Sequence, residues 1–331
     1  MTELWGRGKK GATAPVVVRD LYPPRVADMD GRTNLLYFAW EESQVPGAWV
    51  DGFNRHLDGL CVLSRFVKKA LMDSGVSVPI TVGGCGIDQV MRPEREAYEG
   101  PLGKGFRFLH VSSTFPRKGI DALLKAYLSE FSASDDVTLI IKTFPNPHNT
   151  TPAQVAEARA RPGCPEIVLI NEDLTPGQLV DLYRRCHALV VPTRGEGFGL
   201  PFAEAMYFGL PVICTGFGGH LDFCTPETAR LVDYAFARAQ SHMGQYGSVW
   251  ADPDVGDLAR AMREVMTRPL EAKARAKRAK EVVERELRWD DCARRLEDTV
   301  EALSRVKPLR RGQPLRVAWM SSWNRRCGIA S

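Results

Sequence analysis

The sequence predicts an α/β protein of two Rossmann-like, doubly wound domains, the N-terminal one incomplete. Three observations carry this. Short apolar runs alternate with helix-periodic stretches through most of the 331 residues, and such alternation specifies a parallel sheet covered on both faces. The run Ala188-Leu189-Val190-Val191 reads as a strand of that buried kind, followed by a glycine-rich loop and a helix start. The chain is also long enough for two domains of ordinary size.

Along the first part of the chain, residues 16–18, 35–38, 60–63 and 79–82 read as strands, with helices at 49–57 and 65–73 between some of them. That is about half a doubly wound domain, because nothing before Val16 supplies an opening strand and glycine loop. The second part is fuller. Strands at 106–111, 137–141, 166–170, 188–191 and 211–214 alternate with helices at 119–131, 152–160, 176–186 and 201–208. Thr175-Pro176 and Leu200-Pro201 mark two helix starts, since proline lacks an N–H that the first helical turn leaves without an intrahelical partner. A basic helix follows, with Arg268, Lys273, Arg275, Lys277, Arg278 and Lys280 among alanines and glutamates. It reads first as a solvated face held by charge pairs one turn apart. Its functional reading is contact with an anionic membrane surface.

Composition narrows the function classes. A net charge of +4 argues against an electrostatic nucleic-acid binder. No apolar run approaches the roughly 20 residues that a membrane helix requires. No signal-peptide pattern precedes Trp5-Gly6-Arg7-Gly8-Lys9-Lys10, so a cytoplasmic location is expected. Eight cysteines lack C-x-x-C spacing, and several lie in apolar runs (Cys61, Cys186, Cys214), which suits buried free thiols better than disulfides or a zinc site. The six histidines form no ligand cluster, and no metal is expected.

The stretch Arg194-Gly195-Glu196-Gly197-Phe198-Gly199-Leu200-Pro201-Phe202-Ala203-Glu204 is the most informative in the chain. Two carboxylates have seven residues between them, with glycines interleaved and a helix start between the two. Glycines let a loop approach a ligand closely. Glu196 on the loop and Glu204 in the first helical turn would face a crevice outside the carboxyl end of a strand, where doubly wound sheets bind nucleotides. Spacing alone equally allows a plain strand-loop-helix connection with two solvated glutamates.

These residues resemble the retaining, nucleotide-sugar-dependent glycosyltransferases of the GT-B fold, group 1 or family 4 type, whose signature is a pair of glutamates flanking G-F-G-L-P. Three further landmarks follow the family order: Arg117-Lys118-Gly119-Ile120-Asp121, Pro211-Val212-Ile213-Cys214-Thr215-Gly216-Phe217-Gly218-Gly219, and Trp250-Ala251-Asp252-Pro253-Asp254. The resemblance runs from about Gly105 to Leu303, more weakly from Val16 to Asp88.

The resemblance implies roles. Lys118 would meet the departing diphosphate, where negative charge develops and its stabilisation is usually the largest catalytic contribution. Backbone N–H groups at Gly218 and Gly219 would hold the same phosphates. Glu204 would accept from the ribose hydroxyls, Glu196 would contact the donor sugar, and Gly197, Phe198, Gly199 and Leu200 would line the donor. Many relatives carry an arginine five residues before the lysine, where Ser113 stands here; Arg117 or Lys142 would have to supply that second cation. Glu41, after a strand, is the acceptor contact implied. The segment Gly83-Gly84-Cys85-Gly86-Ile87-Asp88 resembles the turn that closes the first domain, and domain closure would pivot there and around Trp289.

The implied organisation is a partial acceptor-side domain at 1–100, a nucleotide-sugar donor domain at 101–287, a helix and linker at 288–310, and the start of a following transferase domain at 311–331. Other modules of the same polypeptide are expected partners. The alternative for 311–331 is that its strand folds back and completes the N-terminal sheet. The implied activity is transfer of a hexose from a nucleoside-diphosphate sugar, needing neither a metal nor another cofactor, to a glycan or lipid-linked acceptor in bacterial surface polysaccharide synthesis. With a lipid-linked acceptor the enzyme would work at the inner face of the membrane. A noncatalytic nucleotide-sugar-binding module is the alternative, and a phosphorylase of the same fold is a third reading that lacks any sign of a lysine-linked cofactor.

Overall fold

The structure is a computed structural model that describes residues 15–147, 149–240 and 247–305, with backbone alone at 306 and 317–320. It contains two parallel sheets. In the first, β1 (Val16–Arg19), β2 (Thr33–Phe38), β3 (Gly59–Val62) and β4 (Ile80–Val82) lie side by side in chain order. The connections run through α1 (Gly47–His56) and α2 (Arg65–Asp73). Ser64 starts α2 by accepting from the Val67 N–H at 3.2 Å, satisfying one donor that the first turn leaves unpaired. Leu36, Phe38 and Trp40 pack with Phe53 and Leu71 in one core cluster, and Leu35 and Tyr37 pack in another, as period-two alternation requires. A short helix α3 (Asp88–Met91) leads to the second domain.

The second sheet is built from β5 (Phe106–Val111), β6 (Val137–Thr143), β7 (Glu166–Asn171), β8 (Ala188–Val191), β9 (Val212–Thr215) and β10 (Arg230–Val232). Its crossovers use α4 (Ile120–Glu130), α5 (Thr151–Arg159), α6 (Pro176–Arg185) and α7 (Leu200–Tyr207). Across the sheet the order is β7-β6-β5-β8-β9-β10, all parallel. The chain thus starts in the middle at β5, moves outward to β7, and returns to β8 before moving the other way. Both faces are covered: Leu189 and Val191 join one core cluster, Ala188 and Val190 the other. Every residue of β6 is buried, as a strand buried on both faces should be.

Between β10 and the C-terminal segment the sequence reading has no strands, yet an antiparallel ribbon forms from β11 (Tyr234–Arg238) and β12 (Val249–Pro253). Helices α8 (Val255–Thr267), α9 (Pro269–Glu286) and α10 (Trp289–Val306) follow. In the basic helix α9, Arg275 and Arg278 donate to the carbonyls of Pro226 and Glu227, and Lys280 lies 5.6 Å from the Tyr207 ring centroid. Those three cations are therefore engaged within the fold.

Helix α10 returns to the first domain, where Val300 is buried among Val16, Val18, Leu35 and Tyr37. Then β13 (Val317–Met320) runs parallel to β1 at the edge of the first sheet. Of the two expectations for this strand, its pairing with β1 matches the fold-back arrangement. The rest of 311–331, like 1–14, lies outside the described residues. The two crossings between domains meet, with the Ile87 N–H donating to Leu287 O at 3.1 Å and the Trp289 N–H to Asp88 Oδ2 at 2.8 Å. The cysteines among the described residues are all free, and all but Cys164 are buried.

Candidate functional site

The order of the second sheet reverses between β5 and β8, and ligands of doubly wound sheets bind outside the carboxyl ends of strands at such a switch point. The loops leaving these two strands carry Lys118 and Glu196. A single 3₁₀ turn, Pro116–Lys118, follows β5 and ends at Gly119 with φ of 71°. A Cβ on Gly119 would sit 2.0 Å from the Pro192 carbonyl oxygen, so the turn can lie against the exit of β8 only with glycine there.

Lys118 Nζ donates to Glu196 Oε2 at 2.5 Å, and both residues are buried. Burial pushes the Glu196 carboxyl up, but the Lys118 and Arg117 cations and the Lys118 hydrogen bond outweigh it and hold the carboxyl below the ordinary range. Burial, then the neighbouring Arg117 charge, pulls the Lys118 ammonium down against the opposing pull of Glu196. Arg117 donates through Nη1 to Gly195 O and through Nη2 to Glu41 Oε1, each at 3.0 Å. Two cations and two carboxylates from both domains therefore meet at one place.

The glycines of the loop serve a purpose other than the one the sequence suggests. A Cβ on Gly195 would stand 2.6 Å from the Glu41 carbonyl oxygen, and one on Gly197 would stand 2.6 Å from that of Trp40. They make room for the backbone of the facing domain. Ser64 Oγ donates to Gly197 O at 2.6 Å from the same side, and the Gly219 N–H donates to Glu196 O at 2.6 Å. Gly218 lies against the Glu196 carbonyl. Phe198 is buried against Phe223, Gly199 caps α7, and Leu200 is its first residue.

Glu204 is the fifth residue of α7, just past the first turn where the sequence reading put it. Its carboxylate is buried and accepts from Tyr183 Oη at 2.8 Å and from Gln89 Nε2 at 3.4 Å. Burial raises its proton affinity, and these two hydrogen bonds oppose that rise only in part. A buried carboxylate of this kind can accept from a diol.

Arg194, at the head of the glycine loop, ties three sequence landmarks together. It pairs with both oxygens of Asp121 at 2.8 Å, with Asp252 Oδ1 at 2.6 Å, and donates to Pro116 O at 2.8 Å. Its guanidinium carbon lies 5.4 Å from the Trp250 ring centroid. The turn bearing Lys118, the loop bearing Glu196 and strand β12 are fixed by one side chain.

The family described as Family 4 Glycosyltransferase in conflict systems matches residues 67–296, more than two thirds of the chain. The chain belongs to that family. Among individual proteins, D-inositol 3-phosphate glycosyltransferase of Corynebacterium glutamicum is 31% identical over 140 residues, taking in 41% of this chain and 31% of that protein. The O-antigen chain mannosyltransferase B of Escherichia coli is 33% identical over 110 residues, 32% of this chain and 28% of that one. This chain thus spans less than a third of the length of either relative. Among solved structures, sucrose-phosphate synthase from Thermosynechococcus elongatus superposes with a TM-score of 0.65 at 18% identity, covering 88% of this chain and 74% of that one. That likeness shows the fold: this family 4 chain has the GT-B arrangement of two α/β domains.

Of the two cations weighed as substitutes at Ser113, the structure brings Arg117 to Lys118 and leaves Lys142 out. The Lys142 ammonium donates to Thr143 O at 3.2 Å; burial lowers its proton affinity, and the carboxylates opposing that shift are Asp173 and Glu172, beyond β7. Ser113 itself is buried, and its carbonyl accepts from Asn146. Sequence reasoning missed Tyr183, Gln89, Ser64 and the clamp formed by Arg194. Asp121 and Asp252 stand in two of the landmarks, but nothing along the chain pairs them with Arg194. Among the described residues no group of three or more histidines, cysteines and acids is placed to hold a metal ion, and no helix is long and apolar enough to cross a membrane.

Proposed function

We propose that the chain is a retaining glycosyltransferase that moves a hexose from a nucleoside-diphosphate sugar to a glycan or lipid-linked acceptor, without a metal. The observation that carries this reading is the meeting of Lys118, Arg117 and Glu196 at the switch point, with Glu204 buried on the adjoining helix. As the bond from the anomeric carbon to the diphosphate oxygen breaks, negative charge grows on the leaving group. Lys118, Arg117 and the Gly218 N–H oppose that charge, whereas the Gly219 N–H, expected from the resemblance to join them, is held by Glu196 O. Glu196 orients the sugar. The acceptor hydroxyl attacks from the face the diphosphate leaves, and its proton passes to a departing phosphate oxygen, so retention needs no covalent sugar-enzyme intermediate.

Two settings have support. The O-antigen relative favours surface-polysaccharide synthesis at the inner face of the membrane, with the exposed Lys273 and Lys277 of α9 toward the lipid and other modules of the polypeptide alongside. The family description, which matches about twice the length of chain, favours a conflict system, and we favour it as the setting. A noncatalytic nucleotide-sugar-binding module is the second reading, supported by Ser113 in place of the arginine and by the engagement of Arg117 with Glu41. The experiment is a melting and calorimetric screen against UDP, GDP, ADP, CMP and dTDP with matching nucleotide sugars, because a ligand that binds only the folded state raises the melting temperature. Selective stabilisation with turnover of one sugar nucleotide is expected. Binding without turnover would favour the module, and no binding to folded protein would sink both.

A further inference from the structure

The β11–β12 ribbon is absorbed by none of the roles above. One of its faces is anchored: Asp252 and Trp250 lie against Arg194, and the Ala251 N–H donates to Arg194 O at 2.9 Å. The other face carries Tyr234 and Phe236, two residues apart and hence on one side of the strand. Phe236 is 59% exposed and Tyr234 36%. Both rings touch Phe217, at centroid distances of 5.2 and 5.5 Å, and Phe217 in turn meets Phe66 of the facing domain at 5.3 Å. A row of four aromatic rings, exposed at Tyr234 and Phe236 and half-buried at Phe217 and Phe66, therefore spans both domains.

Its position says what it faces. Phe217 directly precedes Gly218 and Gly219, whose N–H and Cα lie against the Glu196 backbone, so the row begins at the candidate donor site. The ribbon also reaches the first domain, where the Val249 N–H donates to Ser43 Oγ at 2.8 Å, two residues from Glu41. The rings thus lie between the exposed face of the ribbon and the candidate donor site. Their chemistry selects the occupant: aromatic faces are electron-rich and attract the polarised C–H groups of a pyranose ring while its hydroxyls stay in water. The aliphatic residues that share this face, Val249, Ala251 and Pro253, are buried or half-buried, so the surface left exposed is aromatic and offers an acyl chain little to bind. Exposed Asp233 and Arg238 flank it with opposite charges, which gives no preference for an anionic headgroup.

We propose that Phe66, Phe217, Tyr234 and Phe236 form an acceptor subsite that stacks the pyranose rings of a neutral glycan at the mouth of the crevice. This rests on the glycosyltransferase reading, and the test keeps the two apart. The full chain is titrated with mannotriose, maltotriose and galactotriose by saturation-transfer NMR and calorimetry, and separately with the nucleoside diphosphate that stabilises it. The wild type should bind at least one triose, with magnetisation transferred from aromatic protons. The Tyr234→Ala, Phe236→Ala double variant should weaken that binding at least tenfold while nucleotide affinity stays within twofold. Phe236→Trp, which keeps an aromatic face, should retain it. The idea is overturned if the wild type binds none of the three trioses, if the double variant binds them unchanged, or if the row instead proves to bind lipid vesicles or a second copy of the chain. Loss of nucleotide binding alone, with triose binding intact, would count against the donor assignment and not against the subsite.

Discussion

Replacing Glu204 with glutamine should separate the stability of this site from its affinity. In the folded chain, burial raises the proton affinity of Glu204 more than the hydrogen bonds from Tyr183 and Gln89 lower it. A carboxyl whose folded pKa is raised adds stability below its unfolded pKa and loses that contribution as pH rises through the folded value. At neutral pH the carboxylate therefore opposes folding. Glutamine keeps an oxygen for Tyr183 Oη, now 2.8 Å away, and carries no charge. Glu204→Gln should melt no lower than the wild type at neutral pH, and any advantage should shrink as pH falls. Binding should move the other way. A hydrogen bond to a charged group contributes about 1.5–3 kcal/mol, so losing one ribose contact should weaken nucleoside-diphosphate binding about 10- to 100-fold. Calorimetry with the nucleotide and its 2′,3′-dideoxy counterpart completes a double-mutant cycle: the dideoxy form should bind the wild type poorly and cost the variant little more. Equal losses in both proteins would refute the ribose assignment. So would a large destabilisation of the variant, which would make Glu204 a structural residue.

Lys118→Ala should lower turnover about 100-fold or more while changing nucleotide affinity less, because its charge is required most when the diphosphate departs; comparable losses in kcat and Kd would undo that role. Glu196→Gln should weaken the sugar nucleotide more than the free nucleotide, as paired titrations would read. It should also destabilise the fold by about 3 kcal/mol in urea melts, since Lys118 is left buried without its counter-ion. The Glu196 pKa is depressed by Lys118 and Arg117 against burial, so its stabilisation is present above the unfolded pKa and lost as pH falls through the folded value; the variant should lack that acid-side loss. Arg194→Lys should cost about 1–2 kcal/mol, discounted because Asp121 and Asp252 are each nearly half exposed. It should also lower kcat, because the turn holding Lys118 loses its clamp.

The second domain was legible because its physics is local. Residues 106–111 and 188–191 are read from sequence with the bounds the structure gives them, the second because a continuous apolar run buried on both faces has no alternation to confuse it, the first although Arg107 and His110 interrupt its apolar residues. The β11–β12 ribbon was not legible. Tyr234-Ala235-Phe236-Ala237-Arg238 is largely exposed, so no burial pattern marks it, and alanine is a poor strand former. Lys118 and Glu196 were named by resemblance, but their 2.5 Å approach depends on how the loops after β5 and β8 leave the sheet, which spacing along the chain does not encode. The same holds for Arg194, whose partners lie 73 and 58 residues away. The strand at 317–320 looked like the beginning of a domain because its local pattern is that of any first strand; only its pairing with β1 tells which sheet it joins.

Lys118 faces Glu196 and Arg117 faces Glu41, so the two cations offered to a diphosphate are already matched by two carboxylates. A diphosphate entering this arrangement brings negative charge beside both carboxylates, and its affinity depends on what it displaces. The Lys118 pair is the more buried, with each side chain only 11% exposed, and breaking it would strand a charge away from water. The Arg117 pair is 23% and 27% exposed, so Glu41 can be released to solvent at lower cost. Arg117 has five N–H groups, enough to keep its bond to Gly195 O while meeting a phosphate. Displacement should therefore begin at Glu41. Glu41→Gln removes the competing charge beforehand, and for a partly exposed pair worth about 1 kcal/mol the nucleoside diphosphate should bind about fivefold more tightly. Its salt dependence should change with it. Weaker binding in that variant would mean that Glu41 holds Arg117 in place for the phosphate instead of competing with it.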